Sequence, residues 1–162
     1  MARMTVKGLT DWSIKLQELG EAAGDVMAKA VYAGAGAVAD AVKSAIDTIP
    51  EQQGYMPDGT QRVSATRDEK ADLKEGLGIS TFDNVGGKVS CAVGFEGYSR
   101  HKTRKYPKGV PIPMIARSIE KGSSVRAAYP FVRRAAQKVK ESAKSSMVDA
   151  AQKAIDEITG GR

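Results

Sequence analysis

Cysteine and histidine are almost absent from this chain of 162 residues, which contains one of each. A single cysteine, Cys91, excludes an internal disulfide, and its place in an alternating apolar run predicts a buried, unreactive thiol. His101 lies among basic residues with no carboxylate nearby in the sequence to orient it, so we interpret it as a solvated side chain rather than a general base. No Cys/His cluster has metal-ligand spacing, and we expect neither a metal ion nor another cofactor.

Long apolar runs are also missing, and aromatic residues make up only 6% of the chain. A membrane-spanning helix needs about 18 or more apolar residues in succession, so we expect no membrane contact. The first residues lack the apolar segment of a signal peptide, which predicts a cytosolic protein or one that assembles there. No nucleophile motif is present, and Gly34-Ala35-Gly36 lies inside a helical pattern rather than after a strand, where a phosphate-binding loop would be. The sequence therefore predicts a protein that is not an enzyme.

Apolar residues at 3-4 spacing predict two long helices, one near each end of the chain. The N-terminal helix should cover residues 10–49 and end before Pro50, and the C-terminal helix should cover residues 129–158. Gly34 and Gly36 lie inside the first helix, where each costs about 1 kcal/mol relative to Ala. Two interpretations stay open: local weakness that the helix tolerates, or a smooth patch where another helix comes close.

The segment between these helices predicts smaller elements. A loop covers residues 50–65, and Thr66 with Glu69 forms a capping box that opens a short helix over 66–76. Two alternating runs predict a β-hairpin over 77–95, a basic loop covers 96–111, and an amphipathic piece ends at Gly122. We therefore predict a single α+β domain over residues 1–162: two long helices packed on a small antiparallel β-sheet, with a mobile basic loop.

The net charge of +6 is concentrated in one part of the chain. Residues 96–126 hold eight Lys or Arg and two acids, so that 8 − 2 = +6, whereas the remaining chain holds 17 basic and 17 acidic residues. Tyr98 and Tyr106 are interleaved with the cations, a composition that suits phosphate contacts with stacking and no reading of base sequence. A solvated surface loop and an acidic patch on a neighbouring subunit are the alternatives. The candidate contact residues are Arg100, Lys102, Arg104, Lys105 and Lys108.

Two motifs resemble those of the neck and tail-completion (head–tail joining) proteins of long-tailed, lambda-like bacteriophages. In that family Ala-x-x-Val-Glu-x-Gly-Thr is followed by Ala-x-Pro-Phe-Leu-x-Pro-Ala. The matching residues here are Ala116, Ile119, Glu120, Gly122, Ser123, Ala128, Pro130, Phe131, Val132 and Ala135. The N-terminal Val6-Lys7-Gly8-Leu9 and Lys15-Leu16-Gln17-Glu18-Leu19 are similar to the family's opening strand, Gly-Leu and Lys-Leu-x-x-Leu helix. The resemblance covers about residues 4–49 and 112–158, and the basic insertion near 97–111 departs from it.

This resemblance implies a structural virion protein of the phage neck or tail terminus, located in the virion and, during assembly, in the host cytoplasm. It implies a homo-oligomeric ring, sixfold in the virion, that contacts neighbouring neck and tail-tube proteins. Glu120, Gly122, Pro130 and Phe131 would form the turn that docks the last helix, and Gly34 and Gly36 would contribute to interfaces. A non-specific nucleic-acid-binding protein acting through residues 98–109 is the alternative function. A toxin-like or regulatory helical protein of a prophage is a third.

Overall fold

The computed structural model describes residues 9–51, 65–85, 87–124 and 126–160. Two long helices dominate it: α1 covers Leu9–Asp47 and α4 covers Phe131–Thr159. At 1.5 Å per residue they extend about 58 Å and about 44 Å. The predicted long helices are therefore confirmed, with each terminus shifted by one or two residues.

The two long helices pack against each other in antiparallel orientation. Near the start of α1, Lys15 donates a hydrogen bond to the carbonyl oxygen of Thr159, at the end of α4, at 2.8 Å. Just after the end of α1, the Thr48 carbonyl oxygen accepts a hydrogen bond from the hydroxyl of Tyr129, which precedes α4, at 3.2 Å. The helix α1 ends at Asp47, and backbone bonds of Thr48 and Ile49 to residues three positions earlier tighten the chain before Pro50. Proline disfavours a helical conformation at the residue before it, which explains this end.

Two short helices lie between them. The helix α2 covers Arg67–Gly76, and its predicted capping box is present: the Glu69 amide donates to the Thr66 hydroxyl at 3.2 Å and the Thr66 amide donates to the Glu69 carboxylate at 2.8 Å. The helix α3 covers Ile112–Lys121 and corresponds to the predicted amphipathic piece. Ile115 and Ile119 are both buried, as the amphipathic pattern requires.

Four three-residue strands form two nested antiparallel ladders. In the outer ladder, β1 (Leu77–Ile79) pairs with β4 (Val93–Phe95); in the inner ladder, β2 (Asp83–Val85) pairs with β3 (Lys88–Ser90). The register changes by one residue between them.

The change of register places two residues, Thr81 and Phe82, opposite Cys91, because Ser80 still bonds to Ala92 at 2.8 Å while Asp83 already pairs with Ser90. This is the geometry of a β-bulge, which bends a hairpin and strengthens its twist. The hairpin prediction is confirmed, but the predicted burial of Cys91 is wrong: its side chain is only half-buried. The alternation itself is kept, since Val89, Cys91, Val93 and Phe95 are half-buried and the residues between them are exposed, but this face of the hairpin is only partly covered.

The apolar core lies at one end of the long helix pair. It joins the last turns of α1, the start of α4, both short helices and β4, and its buried members are Val42, Ile46, Ile49, Ala65, Leu73, Ile112, Ile115, Ala116, Ile119, Phe131 and Ala135. We call this part the head. Residues 15–36 of α1 and 140–159 of α4, which we call the stem, bury mainly small side chains such as Ala30, Ala143 and Ala154. Small residues let two helix backbones approach closely, so the stem is thin while the head holds the bulky core.

The described residues settle only part of the remaining predictions. The predicted loop over 50–65 is described only at its ends, where the Ala65 amide donates to the Pro50 carbonyl oxygen at 3.1 Å. Residues 52–64, and residues 4–8 of the N-terminal motif, lie outside the described chain. No helix within the described ranges carries an apolar stretch long enough to cross a lipid bilayer.

Candidate functional site

The turn before α4 is held by a carboxylate from α3. The two Glu120 carboxylate oxygens accept hydrogen bonds from the amides of Val132 at 2.9 Å and Arg133 at 3.1 Å. These amides belong to the first turn of α4, whose own N-cap residue, Pro130, offers no side-chain acceptor. A negative charge at a helix N-terminus satisfies unpaired amides and interacts favourably with the helix dipole. Glu120 therefore ties α3 to α4.

Gly122 makes the reversal between these helices possible. Its φ is +81°, and a Cβ atom at this position would lie 3.0 Å from both the Ala128 nitrogen and the Arg126 carbonyl oxygen. A side chain is disfavoured by the conformation and by the space. Downstream, the Tyr129 amide donates to the Ile119 carbonyl oxygen at 2.7 Å, which closes the turn onto α3.

The structure brings together the four turn residues that the motif predicted: Glu120, Gly122, Pro130 and Phe131. Phe131 is 2% exposed, and its ring centroid lies 6.1 Å from that of Phe95 in the core. Its side chain is therefore covered by its own chain and offers no surface to another subunit. Phe131 belongs to the head core. Its side chain is too deeply buried to contact another subunit.

The two helix glycines have different surroundings. A Cβ atom on Gly34 would lie 2.5 Å from Cγ and 2.8 Å from Sδ of Met147 on α4, whereas one on Gly36 would have no atom within 4 Å. Gly34 is thus a point of close helix approach, whereas no atom of the described chain approaches the Cβ position of Gly36. For Gly36 both interpretations left open by the sequence stay predictions. The close contact at Gly34 is made within the chain.

Arg126 is a buried residue that the sequence treated only as part of the basic segment. It is 5% exposed, and its Nη2 donates to Oε1 of Glu69 at 2.8 Å. Its Nη1 has no hydrogen-bond partner in the described chain. The pair connects the segment after α3 to the first turn of α2. No local pattern could have revealed it, because the two residues are 57 positions apart.

Several backbone hydrogen bonds join the two arms of the basic loop. At its base the Ile112 amide donates to the Gly97 carbonyl oxygen at 3.0 Å, and the Ser99 amide donates to the Val110 carbonyl oxygen at 2.9 Å. Nearer the tip, Thr103 and Tyr106 exchange backbone hydrogen bonds of 3.1 and 3.0 Å. The segment therefore forms an irregular hairpin that presents residues 101–109 at its end. We call these residues the tip.

Arg100, at the base of this hairpin, is engaged with α2. Its Nη2 donates to Oε2 of Glu75 at 2.8 Å, its Nε lies 3.6 Å from Oδ1 of Asp72, and its amide donates to Oδ2 of Asp72 at 3.1 Å. Asp72 is 3% exposed, so the hairpin supplies a hydrogen-bond partner for a buried carboxylate. The sequence grouped Arg100 with the free cations, and the structure separates it from them.

The other four candidate contact residues are exposed on the tip: Lys102, Arg104, Lys105 and Lys108. Within the described ranges none of them forms an ion pair. Lys105 lies over the ring of Tyr106, with Nζ 5.6 Å from the centroid. Tyr98, at the base of the hairpin, is 61% exposed. The tip is thus a cluster of cations beside aromatic rings.

The stem carries apolar side chains that the described residues leave exposed. A groove of about 650 Å³ runs along it, lined mainly by apolar residues of both long helices, together with Asp25 and Lys29, and by Phe82 of the hairpin bulge. The rings of Tyr32 and Phe82 meet edge to face at 6.0 Å, yet they remain 55% and 45% exposed. Leu16 and Val148, also on the stem, are 64% and 66% exposed.

Clusters of metal-ligating side chains and groups with a shifted pKa are two features that bear on reaction chemistry. No group of three or more His, Cys, Asp or Glu side chains that could hold a metal ion occurs among the described residues. Among the described residues, one carboxyl group has a clearly shifted pKa: a hydrogen bond from Lys74 lowers the pKa of Asp47, and the charges of Lys74 and Lys70 act in the same direction. This contact joins the end of α1 to α2.

Comparisons of the chain with models of known families, with curated proteins and with solved structures found no match. The relation to phage neck proteins therefore stays a prediction from the motifs.

Proposed function

We propose that this chain is a structural subunit of a phage virion, in the head–tail neck or at the tail end. Copies of it would form a ring, sixfold by the resemblance, that completes the phage tail and joins it to the DNA-filled head of the phage. Its partners would be itself and the adjoining neck and tail-tube proteins. Its place would be the virion and, during assembly, the host cytoplasm. Its work would be mechanical, without catalysis or a cofactor.

The observation that carries this proposal is the uncovered apolar surface of the stem. Leu16, Tyr32 and Val148 are all more than half exposed on two helices whose other sides pack together. Exposed apolar side chains that cluster, as Tyr32 and Phe82 do beside the groove, mark sites of protein contact in folded proteins. The groove beside Tyr32 and Phe82 adds a concave part to this surface. A protein whose function is to contact other subunits needs such a surface.

The turn before α4 supports the same proposal from a different direction. The motif residues that suggested a neck protein include Glu120 and Gly122, and both have specific structural tasks at this turn. The motif is thus tied to a three-dimensional arrangement that docks the last helix, which carries half of the stem. The shape of the stem depends on that arrangement.

Single substitutions at the stem surface test the proposal. Leu16→Asp and Val148→Asp each place a charge on this surface without touching the head core. We expect both purified proteins to keep the wild-type melting temperature within a few degrees, since exposed positions contribute little to stability. Formation of rings by the purified protein, seen by negative-stain microscopy, and yield of infectious particles from a phage carrying the variant gene should both fall.

Met114→Asp is the matched control, because Met114 is also exposed, at 46%, but lies on α3 away from the stem. It should leave rings and particle yield unchanged. Normal particles from both stem variants would contradict the proposal, as would equal losses from the stem variants and the control.

A further inference from the structure

The cations of the basic loop fall into two groups with different surroundings. Arg100 contacts two carboxylates of α2, whereas the tip carries cations with no acidic partner in the described chain. We infer that the tip, residues 101–109, binds the phosphate backbone of nucleic acid without reading its sequence. In this arrangement Arg100 is a positioning residue that holds the tip in place.

The charge of the tip is the first step of the argument. Lys102, Arg104, Lys105 and Lys108 lie within seven consecutive residues, and no acid occurs between residues 97 and 119. A nucleic acid presents closely spaced phosphates, and each cation that neutralises one releases a condensed counterion. A cluster of cations that no acid interrupts therefore gains more binding free energy from a regular polyanion than from a single anion.

The backbone of the hairpin is the second step. Reciprocal hydrogen bonds between Thr103 and Tyr106 close the tip, and Gly109 lets the two arms of the hairpin meet at its base. The φ of Gly109 is +114°, and a Cβ atom there would lie 2.1 Å from the Ser99 carbonyl oxygen, so no other residue fits. Because the tip already has its shape, binding does not have to order a flexible segment, which would weaken affinity.

The anchor is the third step. The guanidinium of Arg100 donates to Glu75, and its amide donates to the buried carboxylate of Asp72. The Arg100 side chain is 60% exposed, but a phosphate would have to compete with these two carboxylates for it. The same contacts fix the hairpin to α2 at its base, and none of the four tip cations forms an ion pair with a described acid of that helix.

The tyrosines suggest how single strands would differ from duplexes. Tyr98 is 61% exposed and free to stack on an unpaired base, whereas the bases of a duplex are already stacked. Duplex binding would therefore use the tip cations alone, while single-strand binding would add a contribution from Tyr98.

Fluorescence anisotropy with a labelled duplex of about 30 base pairs, over a range of salt concentrations, tests the inference. Four phosphate contacts predict a slope of log K against log salt of about −3.6 and a loss of affinity of about 150-fold between 50 and 200 mM salt. The variant Lys102→Gln, Arg104→Gln, Lys105→Gln, Lys108→Gln should lose this slope almost completely. Arg100→Gln should weaken binding by less and leave the slope near the wild-type value, because it removes no phosphate contact.

The matched control removes four exposed lysines from the long helices: Lys43→Gln, Lys138→Gln, Lys140→Gln and Lys153→Gln. Both fourfold variants have the same net charge, 6 − 4 = +2, so a difference between them reports position rather than total charge. The control should keep the wild-type slope. Circular dichroism melting curves of all variants separate loss of binding from loss of fold.

Three results would overturn the inference. The first is wild-type protein that does not bind the duplex at 50 mM salt or below, and the second is an equal loss of affinity in the two fourfold variants. In the third result, poly-glutamate displaces the protein at lower charge concentration than duplex or single-stranded DNA does, which would assign the tip to an acidic protein instead. A single strand that binds more tightly than the duplex, with the difference abolished by Tyr98→Ala, would support the stacking contribution.

Discussion

At the scale of single residues, several charges serve the fold rather than the surface. Glu120 caps α4, Arg126 is buried against Glu69, and Arg100 is held by two carboxylates of α2. Of the eight basic residues between 96 and 126, two therefore form ion pairs with acids of the same chain. A charge count from the sequence overstates what is available to a partner. The position of each charge relative to the acids of α2 decides its role.

The cap formed by Glu120 predicts a measurable loss of stability. Glu120→Ala leaves the amides of Val132 and Arg133 without their acceptor, and loss of a helix cap costs about 1–2 kcal/mol. For a domain of this size the melting temperature should fall by about 2–8 °C, as followed by circular dichroism.

Glu141→Ala is the control for this substitution, since Glu141 forms only an exposed ion pair with Lys144. Exposed pairs of this kind contribute about 0.5 kcal/mol or less. Equal shifts for the two variants would show that the contact between α3 and α4 adds nothing beyond surface electrostatics.

The lowered pKa of Asp47 predicts a dependence of stability on pH. A carboxyl whose folded-state pKa is depressed stabilises the protein above its unfolded-state pKa, and this contribution disappears as the pH falls through the folded-state pKa. Asp47→Asn should therefore unfold at lower urea concentration than wild type at pH 7, and the two should converge below the ordinary carboxyl value of 3.8. In a Lys74→Gln background most of this difference should vanish, because the hydrogen bond from Lys74 is its main cause. If the difference in stability between wild type and Asp47→Asn stays constant down to pH 3, it does not arise from a lowered pKa of Asp47.

At the scale of elements, the stem shows how small residues set helix spacing. Ala30, Ala143 and Ala154 are buried where α1 and α4 meet, and Gly34 faces Met147. Such contacts bring backbones close together but bury little apolar area. The head, by contrast, buries Phe131, Leu73 and several isoleucines. Stability should therefore be concentrated in the head, since buried apolar area is the main stabilising contribution.

Replacing each helix glycine with alanine tests this description of the stem. Gly36→Ala meets no atom within 4 Å and should stabilise the protein by about 0.5–1 kcal/mol through its higher helix propensity. Gly34→Ala gains the same propensity but must displace Met147, so it should be less stable than Gly36→Ala by about 1 kcal/mol or more. Chemical unfolding of the two variants measures the difference. Met147→Ala should restore part of the unfolding free energy that the Gly34→Ala protein loses. If it does not, contact with Met147 is not the cause of that loss.

At the scale of the whole molecule, the two candidate interaction surfaces belong to separate parts. The apolar surface lies on the stem, and the basic tip extends from a hairpin that is anchored to α2 in the head through Arg100 and Asp72. No described element contributes to both surfaces. A chain arranged in this way can contact subunits with one part and a polyanion with the other.

This separation predicts that the two activities respond independently. The fourfold tip variant should form the same assemblies as wild type, as measured by light scattering and microscopy. Val148→Asp should keep the wild-type slope of DNA affinity against salt, because it removes no cation. Substitutions well separated in a structure act additively. Loss of assembly in the tip variant would show instead that the tip is itself a subunit contact.

The sequence by itself determined the local elements. Three local signals act over a few residues, so their outcome can be predicted without the fold. They are the capping box at Thr66 and Glu69, the 3-4 spacing of the long helices and the proline after Ile49. The alternating runs likewise predicted the hairpin. The bulge opposite Cys91 was not predictable from them, because it depends on how the two strands align with each other.

Only the tertiary structure decided which distant residues meet. Arg100 reaches Asp72 across 28 positions and Arg126 reaches Glu69 across 57, and no local pattern links either pair. The same holds for Gly34 and Gly36, which are equivalent in sequence and differ only because α4 passes beside one of them. The physical reason is that hydrogen bonds and packing depend on distance in space, which the fold sets, whereas helix caps and periodicity depend on distance along the chain.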